Sequence, residues 1–350
     1  MTEAPEFDLN CPLPYEQPER ILLAHGGGGR LMQNLLQNTL FPAFANPFLA
    51  AAHDGARLEI GNQVLAFSCD SYVVNPLFFA GGDIGKLAVF GTVNDLAMCG
   101  AKPLYLSVGL ILEEGLEMAL LNRVVASLSD AAKRCGVVLV TGDTKVVEKG
   151  KGDSLFIHTA GLGLIETPLE IGPQEVKPGD AILINGEIGA HGMAVMAERE
   201  GLAFEGPIES DCAPLHEMVS DLLNAGFELH CLRDPTRGGV ASVLNEIAAK
   251  AKLQIELNAA QIPVAPAVAG ACEILGFDPL YVANEGKMLI FLPQAQAEAA
   301  LARLRSHPLG RLSAQIGVVQ TGAPRVILRN LYGTTRLLDL LSGEQLPRIC

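Results

Sequence analysis

At 350 residues the chain is a little over two domain lengths at ~150 residues each, which excludes one small module and predicts two domains, each with its own core. Its 39 acidic and 25 basic side chains leave a formal charge of −14, the wrong sign for a general nucleic-acid binder that must neutralise phosphates. The 49% hydrophobic and 18% charged content excludes a disordered chain.

Glu3, Glu6, Asp8, Glu16 and Glu19 precede any apolar run, unlike the basic start of an export signal, so a cytoplasmic chain is expected. No apolar stretch approaches the ~20 residues that cross a bilayer; Leu104 to Leu112 is stopped by Lys102, Glu113 and Glu114. Ile21 to Ala24 is predicted as a short strand running into Gly26, Gly27, Gly28 and Gly29, with a helix from Leu31 to Leu40. Apolar spacing then predicts strands over Val64–Asp70, Leu104–Leu112, Val137–Val140 and Leu155–Ile165, and helices over Ile84–Met98 and Leu116–Cys135. Pro173, Pro178 and Gly179 mark a boundary near 175. Beyond it, helices are predicted at His191–Glu200, Leu215–Ala225, Gly239–Ala251 and Ala295–Ser306, and strands at Ala181–Asn185, Leu253–Leu257 and Met288–Leu292. The expected organisation is therefore an α/β chain: a segment 1–40 carrying the glycine run, a domain 41–170, a domain 175–335, and a mobile tail 336–350.

The glycine run presents consecutive backbone N–H groups suited to an anion, although a plain flexible loop explains it as well. Gly81 to Lys86 is not a P-loop, since it has three residues between its glycines and Leu87 after its lysine. Asp70, Asp83, Asp95, Asp143 and Asp234 sit at strand ends or beside glycines. Carboxylates bridged by magnesium to a polyphosphate bind a nucleotide without a P-loop; singly, each aspartate is also explained as a cap or turn residue. Lys145 and Glu285 are candidates for proton transfer in a closed site, or else ordinary surface charges. Eight cysteines without a CxxC pair indicate neither a zinc site nor a disulfide framework, and seven are expected to be buried apolar residues. The eighth, Cys350, ends the chain. An exposed terminal thiol is a liability unless the sulfur is used. At ~3.3 Å per extended residue, the stretch from Arg336 to Cys350 reaches about 50 Å, enough to carry a covalently held group between two sites.

Together, His25 to Gly29, Asp70 to Val74, Phe79 to Lys86, Gly91 to Met98, Glu113 to Gly115, Gly142 to Val147, Arg233 to Gly239, Asn284 to Lys287 and the ending Pro347-Arg348-Ile349-Cys350 resemble the HypE family of NiFe-hydrogenase maturation proteins. These are carbamoyl dehydratases within the aminoimidazole-ribonucleotide-synthetase-like superfamily. The resemblance spans nearly the whole chain, and the terminal Pro-Arg-Ile-Cys selects this family from the superfamily. One departure is Cys69, where relatives often carry Thr. The resemblance implies an N-terminal domain forming a barrel across a homodimer and a C-terminal α/β domain beside it. It implies ATP and Mg2+ in the cleft, with Gly26, Gly27, Gly28, Gly29, Asn94 and Asp143 on the nucleotide and Asp70, Asp83, Asp95 and Asp234 on metal or phosphate. It also implies that Cys350 receives a carbamoyl group from a separate carbamoyltransferase and becomes a thiocyanate, with Lys145 and Glu285 moving protons. The cyanide then passes to an iron-carrying scaffold complex of two other maturation proteins. The rivals are a superfamily enzyme acting on a free small molecule, such as a selenophosphate or aminoimidazole ribonucleotide synthetase, and a non-enzymatic scaffold with a docking tail. Both dispense with the chemistry of Cys350.

Overall fold

The computed structural model describes residues 18–350 apart from 203, 205, 207, 331, 344, 345 and 347, so the acidic lead through Glu16, Cys11 and Pro347 lie outside the described residues. Ile21 to Ala24 is not a strand. The run is too short before the glycines to reach a sheet, and it closes as a 3-10 turn over Leu23–Gly26 with Ile21 and Leu23 exposed. Helix α1 (Arg30–Leu35) continues through a π turn (Leu36–Leu40) into α2 (Phe41–Ala43). Asn46 then caps α3 (Pro47–Ala50) by accepting from the Phe48 and Leu49 amides.

The first domain contains β1 (Ala56–Ile60), β2 (Gln63–Tyr72), a small hairpin of β3 (Phe78–Phe79) and β4 (Gly82–Asp83), α4 (Ile84–Met98), β5 (Ala101–Glu113), α5 (Met118–Cys135), β6 (Val138–Val147) and β7 (Leu155–Ile165). The five long strands form one sheet in the order β1-β2-β7-β5-β6, antiparallel except for β5 and β6, which α5 connects. Alternation along the strands decides the faces. Ala66, Ser68 and Tyr72 of β2, Leu106 and Val108 of β5, and Ile157 and Thr159 of β7 are buried. Their neighbours Phe67, Cys69, Tyr105 and Ile111 are exposed on the other face. The edge strand β6 leaves Val138, Leu139, Val140 and Val146 exposed. It also runs on past Val140 through Thr141 to Val147, where a strand end was expected. Its parallel partner β5 offers a ladder along that whole length, from Tyr105↔Val138 to Glu113↔Val147.

The second domain contains β8 (Asp180–Ile184), α6 (Ala190–Glu200), α7 (His216–Asn224), β9 (Cys231–Arg233), α8 (Gly239–Ala251), β10 (Gln254–Asn258), α9 (Pro266–Leu275), β11 (Leu289–Pro293), α10 (Ala297–Ser306), β12 (Ala314–Gln320), β13 (Arg325–Arg329) and β14 (Thr335–Leu337). Its sheet runs β14-β13-β10-β12-β8-β11-β9 and is covered on both sides. Ile182 and Ile184 join Val240, Leu244 and Ile247 of α8, whereas Ala181 and Leu183 join Met218 and Leu222 of α7 and Leu301 of α10. Strands buried on both faces read as continuous apolar runs, as β8 and β11 do.

Helix α4 ties the two halves together. It is apolar on every side and packs against β2, β5, β7 and α5 of the first domain and α7 and β9 of the second. Beyond β14 the expected mobile tail is docked. Arg336 and Leu337 are themselves strand residues, Leu338 is fully buried in the second domain's core, and the Cys350 carbonyl accepts from the Val73 amide at 3.0 Å. Among the described residues no helix is long and apolar enough to cross a membrane.

Gly91 lets α4 approach β2, because a Cβ there would overlap the hydroxyl of the fully buried Tyr72. Gly91→Ala gains about 1 kcal/mol of helix propensity, but the rigid ring has nowhere to move, so a net loss of about 1–3 kcal/mol in urea unfolding is expected.

Candidate active site

The terminal thiol occupies the seam between the domains. Ile349 and Cys350 belong to the buried cluster that includes Tyr72, Val74 and Phe79 of the first domain and Val195, Cys212 and Ala283 of the second. Cys350 is 9% exposed, and burial pushes its thiol well above the ordinary range, with Arg237 opposing that shift and Glu285, Asp70 and Asp234 adding to it. Backbone and side chains grip the last residues. The Arg348 carbonyl accepts from Arg199 Nη2 at 2.7 Å, Arg348 Nε donates to the Val73 carbonyl at 3.0 Å, and its guanidinium pairs with Asp153. Cys350, whose resting place the sequence leaves open, is buried, and Cys69, expected inside, is exposed because it alternates with Ser68 on β2.

Next to the seam lies a cavity of about 690 Å3. One side is apolar, with Met32, Leu36, Phe41 and Val243; the other is polar, with Gly28, Asp54, Asp70, Asp95, Asp234 and Arg237. Of the glycine run, Gly28 lines it. Its φ of +73° and the 2.5 Å between a would-be Cβ and the Arg237 carbonyl leave room for no side chain. The loop and the Arg233–Gly239 segment thus lie backbone against backbone, and Arg237 Nη1 reaches the Gly26 carbonyl at 3.4 Å.

The carboxylates crowd one another. Asp95 is held well above the usual range by burial and by Asp234, Asp54 and Asp70, although Ser68 Oγ donates to its Oδ2 at 2.5 Å. Asp234 is raised by burial and by Asp54; Asp54 is raised to about 6 by burial, despite its 2.5 Å contact with Arg233. Glu285, 4% exposed, is raised by burial and by Asp234, and its Oε1 has no hydrogen-bond partner. Among the described residues no three His, Cys, Asp or Glu side chains are already drawn together as a metal cage. The carboxylates of Asp70, Asp95 and Asp234, hard oxygens from separate elements lining one cavity, with Asp54 Oδ2 beside them unpartnered, nevertheless fit a magnesium ion shared with a phosphate group, which needs only one or two carboxylates from the protein.

Four sequence-derived site residues stand elsewhere. Asp83 caps α4: its Oδ1 accepts from the Gly85 and Lys86 amides at 2.9 and 3.0 Å and from Ser127 Oγ at 2.6 Å, which commits it to the helix start. Asn94 is 1% exposed, donating to the Ala213 carbonyl and accepting from the Leu215 amide, so it fastens the strand of chain beside Glu285 and has no group left for a nucleotide. Asp143 and Lys145 pair at 2.7 Å in mid-strand on exposed β6, away from the cavity within one chain. Sequence reasoning overlooked Arg237, which lies inside a quoted motif and supplies the cation between thiol and carboxylates. It also overlooked Asp54 and His191, single residues without a spacing signal. The arrangement suits phosphoryl chemistry on a group carried by Cys350, with Glu285 able to hold or release a proton and Arg237 able to receive anionic oxygens.

Known proteins resemble the chain over most of its length. Residues 52–165 match the AIR synthase related protein N-terminal domain and residues 177–329 its C-terminal domain. Carbamoyl dehydratase HypE of Cupriavidus necator is 48% identical over 345 residues, covering 97% of this chain and 98% of that protein. A crystal structure of a HypE-HypF complex superposes with TM-score 0.84 at 45% identity, covering 88% of this chain and 99% of that one. HypE in complex with ATP superposes with TM-score 0.80 at 47% identity, covering 95% and 100%.

The raised carboxyls set a pH dependence. Their folded pKa values lie above the unfolded value of about 3.9, so the stability they lend is complete below that value and is lost as pH rises through the folded pKa. Asp234→Asn, with no cation added, is expected to stabilise the chain by roughly 1–3 kcal/mol at pH 8 and by little at pH 4, read by urea unfolding at both.

Proposed function

The chain belongs to the HypE family of carbamoyl dehydratases, an enzyme of hydrogenase maturation, and from that premise we propose that Cys350 carries the substrate and that the cavity beside it binds ATP. The observation that carries this reading is the seat of Cys350, buried within electrostatic reach of Arg237, Glu285, Asp70 and Asp234, of which Arg237, Asp70 and Asp234 line a cavity that also presents apolar side chains. An adenine ring suits Met32, Leu36, Phe41 and Val243. Phosphates suit Gly28, its loop neighbours Gly26, Gly27 and Gly29, and Arg237. Asp70, Asp95 and Asp234 would hold magnesium against them, and the bound ion would neutralise phosphate charge.

The thiocarbamate oxygen is a poor leaving group until it takes the γ-phosphoryl group, giving an imidate phosphate and ADP. Removal of the remaining nitrogen proton then expels phosphate and leaves the thiocyanate, the substrate oxygen departing in the phosphate. Glu285 is suited to one of these proton transfers, since burial and Asp234 push its carboxyl toward holding a proton and a bound cation would oppose that push. Closure around the seam keeps water from the phosphoryl group.

Lys145 enters through a homodimer. The open sheet face around Tyr105, Ile111, Val138 and β6 is apolar, and a second copy closing it into a barrel would take the Asp143–Lys145 pair out of solvent and bring it to the interface. The HypE-HypF structure supports a carbamoyltransferase as the partner that loads Cys350 when the tail is outside. The product is read as passing to an iron-carrying scaffold of two maturation proteins. A cytoplasmic setting suits the seven unpaired cysteines among the described residues.

The deciding experiment is mass spectrometry of the C-terminal peptide after carbamoylation and addition of ATP. Loss of one water's mass is expected; an unchanged peptide overturns the reading. Cys350→Ala is expected to retain its fold and ATP binding and to form no thiocyanate. In single-turnover assays, Glu285→Gln and Lys145→Ala should keep ATP affinity and slow conversion by at least ~100-fold. Normal conversion by both removes them from the mechanism. Val138→Glu is expected to run at monomer mass in light scattering.

A further inference from the structure

Among the groups that hold the tail, one differs from the rest in burial. His191, at the start of α6, is fully buried, its ring edge-on to Phe79 with centroids 5.4 Å apart. Its Nε2 lies 2.8 Å from the Ile349 carbonyl and its Nδ1 2.8 Å from Ser210 Oγ. The Cys212 amide in turn donates to Ser210 Oγ at 3.1 Å, and the Ser210 amide donates to the Ala80 carbonyl at 2.8 Å.

The chain of partners fixes the tautomer. A carbonyl only accepts, so Nε2 carries the proton and donates to Ile349; Nδ1 is then the acceptor for the Ser210 hydroxyl, whose oxygen accepts from Cys212. Burial keeps the ring neutral, although Asp211 opposes this, so a single proton is available and the network spends it on the tail.

We propose that His191, oriented by Ser210, is a positioning residue for the proposed reaction of Cys350: a buried latch that donates to the carbonyl one residue before the reacting sulfur. The inference rests on the reading of Cys350 as substrate carrier. Arg199 and Arg348, which also grip this segment, are partly exposed, so water replaces their bonds when the tail leaves. Nε2 is the innermost of these grips, on a ring that Phe79 packs from the side and Ser210 holds from the other nitrogen. Departure of the tail breaks this bond beside apolar neighbours, and that cost contributes to how much of the time Cys350 is inside. A thiol released only by breaking that bond is presented to a loading enzyme sparingly and returns to one register.

Alkylation of the intact protein by iodoacetamide tests this without ATP, carbamoyl donor or transferase, so its outcome is separate from that of the dehydration reading. Peptide mass spectrometry follows Cys350, exposed Cys69, and the core thiols Cys99 and Cys231. His191→Leu is expected to raise Cys350 labelling about five-fold, the population effect of one lost hydrogen bond, with Cys69, Cys99 and Cys231 unchanged. His191→Gln, which retains a donor, should restore much of the protection. Ser210→Ala, which frees the imidazole to place its proton on Nδ1, should move Cys350 in the same direction as His191→Leu, and serves if that variant does not fold. Labelling of Cys350 that stays at the parental rate in both His191→Leu and Ser210→Ala overturns the latch. So does a rise shared by Cys99 and Cys231, because that reports general loosening.

Discussion

The structure depends on burying α4 from all sides. A helix without a solvent face must find apolar partners around its whole circumference, and neither sheet supplies them alone. Leu96 meets the first sheet with Ala66 and Ile165, while Ala97 and Met98 meet Leu215 and Met218 of the second domain. The domains are therefore committed to one relative placement, and the seam that receives Cys350 follows from it. Asn94 makes the commitment specific. A polar amide amid apolar neighbours is tolerable only with its bonds made, and they are made to Ala213 and Leu215 of the other domain.

Within that seam, electrostatics work against the empty chain. Asp54, Asp95, Asp234 and Glu285 are each driven toward the protonated form by burial and by one another, a state in which they bind nothing cationic well. A cation placed among them would favour their charged forms and would have to displace protons to bind, so its affinity would rise with pH. The thiol follows the same logic in reverse. Inside, burial keeps Cys350 protonated and a poor nucleophile, which is harmless to a step in which the sulfur only carries its load; loading itself calls for thiolate and hence for solvent.

Much of this was legible in the sequence where one physical signal acted alone. The span of α4 was read to the residue, and β7 as well, since each is a long, mostly apolar run with a clear stop after it, Gly100 for the one and Glu166 for the other. The family likeness and the assignments of Asp70, Asp95, Asp234 and Glu285 to one region rested on motif context, and the structure brings these four together with Cys350. What was not legible depended on partners. Thr141 to Lys145 looks like a turn until β5 is laid beside it. Asp83 and Asn94 looked like ligands because their side chains can be, and only the neighbouring amides and carbonyls show how they are used. Strands β12 to β14 and helix α9 are stabilised by the sheet and core they join more than by their own pattern. Exposure of the two thiols depends on which face of β2 Cys69 takes and on where the last residues dock.

Strand β6 has a consequence for the newly made chain. An unpaired edge bearing Val138, Val140 and Val146 is a template for runaway edge-to-edge stacking between copies, and native sheets interrupt such edges with charge. The interruption here is the Asp143–Lys145 pair in the middle of the strand. It acts as an aggregation gatekeeper, and neutralising Lys145 removes that protection.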